Sequence, residues 1–160
     1  MNREQRIRIR DMEIESMVML ICTRSKFVAR LRKLDDTTEY GSTLLPIEFH
    51  GVVGEQGAVL TEVFDVCAGK RSPMGDSWVR PVSPTDVWSA LGVNPKNPYP
   101  EVASINCQRT TTGEVVLGSS VAPESRAKTS GRTIFLEASE VQPDILQKHI
   151  DDLMSDFILD

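Results

Sequence analysis

Residues 44–66, LLPIEFHGVVGEQGAVLTEVFDV, constrain the fold more than any other stretch. Leu45, Ile47 and Phe49 alternate with Pro46, Glu48 and His50. That period of two places the apolar trio on one face of a strand and the polar residues on the other. Gly51, Gly54 and Gly57 interrupt the pattern next. Glycine takes positive φ without steric cost, so a turn is expected there. From Val59 to Val66 the chain is rich in β-branched and aromatic residues, which predicts a second strand and hence a central β-hairpin. Its apolar residues fall on both faces, as in a strand covered on two sides. Helices from the two ends of the chain are the expected covers.

A chain of 160 residues is long enough for one domain with its own core. The longest apolar run, residues 17–22 (MVMLIC), is far short of the ~18 residues of a membrane span. It follows an acidic segment, which argues against a signal peptide. Cys22, Cys67 and Cys107 are odd in number and lack a C-x-x-C pair. That usage predicts buried thiols in a reducing compartment, with no disulfide framework and no zinc site. The expected location is the cytoplasm, or a virion for a viral protein.

The net charge of −5 conceals an asymmetry. Residues 1–33 carry nine Arg or Lys against four Asp or Glu, whereas residues 34–160 carry nine against nineteen. Segregation of this kind predicts either a basic arm for an acidic partner or two chain ends that lie against each other.

In residues 3–16, Ile7 and Ile9 alternate with arginines, and Met12 and Ile14 with acids, so helix and strand compete. In residues 26–34 the spacing of Phe27, Val28, Leu31 and Leu34 favours a helix with Lys26, Arg30 and Lys33 on its opposite face. Helix is expected over most of residues 11–34, ended by a polar loop at Asp35–Thr38. Ser83, Pro84, Thr85 and Asp86 form a helix start, and Gly92 a stop, which predicts a short helix over residues 85–91. Residues 94–100, NPKNPYP, should be irregular. Residues 101–120 read as a second hairpin turning at Thr110–Gly113, residues 122–131 as a loop, and Thr133–Leu136 as a strand. At the C-terminus, residues 139–142 offer cap chemistry, Pro143 suits a first turn and Asp144 complements the helix dipole. Ile145, Leu146, Ile150, Leu153, Met154, Phe157 and Ile158 then form a broad apolar stripe. The fold class is therefore α+β: one domain over residues 1–160, an antiparallel sheet of two hairpins flanked by N- and C-terminal helices. Within it, residues 1–34 are a basic segment and residues 140–160 an acidic amphipathic helix.

Catalytic constellations are weak. Gly69-Lys70 resembles part of a phosphate-binding loop, but Phe64 stands where a glycine is required and Arg71 where Ser or Thr should follow the lysine. Glu48 and His50 share one strand face and are spaced as an acid–base pair, Cys67 adjoins a basic turn that would lower its pKa, and His149 lies on a solvated helix. None of these supplies nucleophile, base and orienter together, so no enzyme is expected and no cofactor or metal is implied. The expected role is a non-enzymatic subunit or assembly factor of a larger complex, such as a virus or phage builds. It would dock on homo- or hetero-oligomeric protein partners through Ile150, Leu153, Phe157 and Ile158. Arg6, Arg8, Arg10, Lys26, Arg30 and Lys33 would meet an acidic partner. The alternative is a nucleic-acid-binding accessory protein that uses the same basic residues on phosphates.

Overall fold

The computed structural model describes residues 1–34, 42–83 and 85–160. Residues 11–34, expected as mostly helix, instead supply a β-hairpin of β1 (Ile14–Cys22) and β2 (Lys26–Leu34). Ser16, Val18, Leu20 and Cys22 share one face of β1, opposite Phe27, Ala29 and Leu31 of β2. Val28, on the other face, is buried too. A strand buried on both faces has no clean period, and its apolar residues then match helical spacing by coincidence. The turn is closed by Thr23, whose N–H donates to the Lys26 carbonyl at 2.8 Å and whose hydroxyl accepts the Lys26 N–H at 3.0 Å. Before the hairpin, Arg3–Arg10 forms helix α1. The loop expected at Asp35–Thr38 lies outside the described residues.

The opposite correction applies to the central stretch. Leu45, Ile47 and Phe49 lie on strand β3 (Ser42–Val52), as their alternation predicts, but the expected second strand is helix α2 (Gln56–Cys67). The glycine segment does turn the chain, with Gly54 at φ +105°, yet it leads from strand to helix. Gln56, Gly57, Leu60, Val63, Phe64 and Val66 are the buried set, and the three- and four-residue steps among them override the β-branched composition.

Among the described residues the remaining strands and α-helices are β4 (Trp78–Val79), α3 (Asp86–Leu91), β5 (Ala103–Thr110), β6 (Val115–Ser120), β7 (Thr133–Leu136) and α4 (Pro143–Met154). Helix α3 ends at Gly92, φ +71°, as its sequence predicts. Ser83 donates its N–H and hydroxyl to the Asp86 carboxylate, at 2.6 and 2.7 Å. Pro84 lies outside the described residues. The second hairpin turns at Gly113, φ +94°, and β7 matches its expected limits.

Among the described residues all strand pairs are antiparallel, in a seven-stranded sheet ordered β4-β3-β2-β1-β5-β6-β7. The α+β class holds, but the sheet is larger than two hairpins: two meanders join where β1 pairs with β5. Helices α2 and α4 pack side by side on one sheet face, and the main core fills the space between. They approach closely at Gly57, where a Cβ would overlap the Pro143 carbonyl oxygen and lie 2.6 Å from the Gln147 nitrogen. The other face is covered in part by α3 and its flanks, through Val87, Leu91, Val93 and Val102 on Ile21 and Val28.

Candidate functional site

The apolar stripe of the C-terminus is spent inside the chain. Ile150 and Leu153 are fully buried against the sheet and α2, and Phe157 is 6 % exposed, its backbone bridged to Ala127. Only Ile158 of the four expected docking residues is open, at 46 %. The stripe is broad because α4 sits in a groove between α2 and the sheet and is covered from two directions. Each fully buried aliphatic side chain there contributes roughly 1.5–3 kcal/mol to folding, so these residues belong to stability. What α4 turns outward is acidic: Asp144, Asp151 and Asp152 are exposed, with Lys148 among them. Asp152 and Asp156 also receive Arg132.

The basic candidates divide. Arg8 is an anchor: its guanidinium donates to both Glu137 carboxylate oxygens, at 2.7 and 3.0 Å, and to Glu114 at 3.2 Å, and lies 5.4 Å over the Phe135 ring. Such a forked, charge-assisted contact ties α1 to the sheet rather than to a partner. Arg30 is mostly buried beside Glu48, 3.7 Å away, and its Nε has no hydrogen-bond partner. Lys26 and Lys33 are exposed at opposite ends of β2, opposite Val52 and Thr43, so the shared face expected of a helix does not exist. Arg6 and Arg10, with Arg3, remain exposed on α1. Arg10 lies 3.9 Å from Asp11, and neither Arg3 nor Arg6 has an ion-pair partner among the described residues.

Glu48 and His50 do meet. His50 Nε2 lies 2.7 Å from Glu48 Oε1, and Glu48 is 2 % exposed on the sheet face away from α2. With Arg30 they form a compact ionic cluster, in which the carboxylate is held by a guanidinium on one side and an imidazole on the other. A nucleophile is not among its partners, so the cluster reads as a satisfied buried carboxylate. Cys67 is turned away from chemistry: its thiol donates to the Arg32 carbonyl at 3.1 Å, and burial pushes its pKa up, against the lowering expected from the basic turn. The Gly69-Lys70 turn follows a helix, not a strand. Among the described residues no group of three His, Cys, Asp or Glu side chains is placed to hold a metal ion, and no helix is long and apolar enough to cross a membrane.

Two ionic centres escaped the sequence. Glu114 is buried and receives the hydroxyls of Thr110, at 2.6 Å, and Thr112, together with Arg8. These hydroxyl donors, aided by the guanidinium and opposed by burial, hold its pKa down to about 2. Arg109 bridges Glu15 at 3.1 Å and Asp65 at 2.7 Å, with its guanidinium 5.4 Å over Phe64. Thr110-x-Thr112-x-Glu114 is the only sequence trace of the first, and the partners of Arg109 are forty or more positions away. Compared with known proteins, the chain matches no family model, no curated protein and no solved structure.

Proposed function

We propose that this chain is a non-enzymatic structural subunit that assembles with further copies of itself, the outer face of α1 on one copy meeting the outer face of α4 on the next. The observation that carries this reading is the opposite charge turned outward by the two terminal helices. Arg3, Arg6 and Arg10 face solvent on α1, and Asp144, Asp151 and Asp152 on α4. An eight-residue helix is not stable alone, and Arg8 ties it to the body. Ile7 is left 43 % exposed on α1, and Ile158 46 % exposed beyond α4. Exposed ion pairs contribute little singly, so such an interface would draw on these apolar side chains and would weaken with salt. A contact between two different faces is heterologous, and repetition builds rings or filaments. That is the behaviour of a subunit in a larger assembly, of the kind a virus or phage makes.

Charge reversal tests it. Arg3→Glu/Arg6→Glu/Arg10→Glu should convert an oligomer to monomer by light-scattering mass, with the melting temperature unchanged, because all three side chains face solvent. Asp144→Lys/Asp151→Lys should also give monomer from the other side, with a lower melting temperature because Asp144 lies in the first turn of α4 and Asp151 accepts from Gln147. Retention of the wild-type mass by both variants sinks the reading. The arginines of α1 that have no acidic partner among the described residues also support a second reading, a nucleic-acid accessory protein. In that case the α1 variant would lose bound nucleic acid and the α4 variant would not.

A further inference from the structure

The basic turn at residues 68–72 has no part in the assembly reading, and its backbone excludes a phosphate-cradling loop. Gly69, in the left-handed region at φ +76°, donates its N–H to the Val66 carbonyl at 3.1 Å, and Lys70 donates to the Asp65 carbonyl at 2.8 Å. These two bonds close α2 as a Schellman motif, so neither amide is free for an anion. The side chains are disposed differently. Lys70 and Arg71 line an open surface cavity of about 510 Å³ whose apolar lining is Leu45, Ile47, Val66 and Pro73.

A third cation reaches the same cavity from another part of the chain. β4 pairs with β3 through Glu48↔Val79 and Phe49↔Trp78, and Trp78 packs edge-on to Phe49 with ring centroids 5.0 Å apart. That register delivers the next residue, Arg80, to the cavity wall. Favourable interaction with the C-terminal dipole of α2 accounts for Lys70 and Arg71. It does not account for Arg80, which follows a different element. Lys70 is paired with Glu15. Arg71 stands 3.8 Å from Glu62, beyond hydrogen-bond length, and Arg80 has no ion-pair partner among the described residues. No described carboxylate lines the cavity. Two under-committed guanidiniums beside apolar side chains in one open cavity define a recognition chemistry.

We propose that this cavity binds a small organic phosphate: Arg71 and Arg80 take the phosphate, and the apolar body of the ligand lies on Leu45, Ile47 and Val66. Phenyl phosphate is a suitable probe, titrated into the full chain by calorimetry beside inorganic phosphate and phenol. The expected result is saturable binding of phenyl phosphate at one site, at least about tenfold tighter than inorganic phosphate. Arg71→Gln/Arg80→Gln should weaken it at least about tenfold with no change in melting temperature, since both side chains are exposed. Amide chemical shifts should move at residues 69–72 and 80. Arg3→Gln/Arg6→Gln should leave binding unchanged, which separates this site from the α1 surface. Failure of phenyl phosphate to saturate overturns the proposal, as does equal affinity for inorganic phosphate, or binding that survives in Arg71→Gln/Arg80→Gln.

Discussion

Glu114 illustrates how one residue ties local hydrogen bonds to the behaviour of the folded chain. Its carboxylate accepts from Thr110 and Thr112 within the same turn and from Arg8 of α1, and these contacts hold its pKa at about 2 against an ordinary value of 4.5. A carboxyl whose folded pKa is depressed stabilises the fold fully above its unfolded value, and that contribution is lost as pH falls through the folded one. The stabilisation should therefore decline between about pH 4.5 and pH 2. Thr110→Val removes the hydroxyl that donates to Glu114 at 2.6 Å, so the acid-unfolding midpoint should move to higher pH, read by circular dichroism. An unmoved midpoint would mean the hydroxyl does not set the Glu114 pKa. The stripe residues make a second case. Leu153→Ala should cost on the order of 2–5 kcal/mol in urea unfolding, as a large-to-small change in a closed core. Ile158→Ala, at a half-open position, should cost well under about 1 kcal/mol. Similar losses at both positions would contradict the division between core and surface.

At the scale of elements, Gly57 sets the approach of α2 to α4. A methyl group there meets the Pro143 carbonyl and the Gln147 backbone, neither of which is a flexible side-chain end. Gly57→Ala should therefore lower stability by about 1–3 kcal/mol despite its better helix propensity, and a thermal melt that rises instead would show that the helices part easily. The same helix shows where sequence reasoning stops. β3, β7, the β5–β6 turn, α3 and α4 were legible, because each has a one-sided apolar pattern or explicit caps. α2 and the β1–β2 hairpin were not. Val59, Val63 and Val66 carry strand propensity within a helical period, and Phe27, Val28 and Leu31 carry a helical period within a strand buried on both faces. In both segments tertiary burial decided the structure, and the local pattern pointed the other way.

For the whole molecule, the two halves of the sheet are joined by a pairing no local signal announces: β1 against β5, with Val18 opposite Cys107 and Leu20 opposite Ile105, more than eighty positions apart in the chain. Surface candidates were hidden for the same reason. The wide α4 stripe looked like a docking face until α2 and the sheet were placed on it, and Arg8 and Arg30 looked free until Glu137, Glu114 and Glu48 came beside them. The charge asymmetry of the two chain ends was legible, and it survives in space as a basic α1 and an acidic outer face of α4. The direct test of the assembly reading is the light-scattering mass of the wild-type chain at low and at high salt, with the 260/280 nm absorbance ratio read across the same peak. The account predicts a nucleic-acid-free oligomer at low salt that dissociates toward the single-chain mass as salt is raised. A monomer at both salt concentrations, or a peak whose mass comes from nucleic acid, would contradict it.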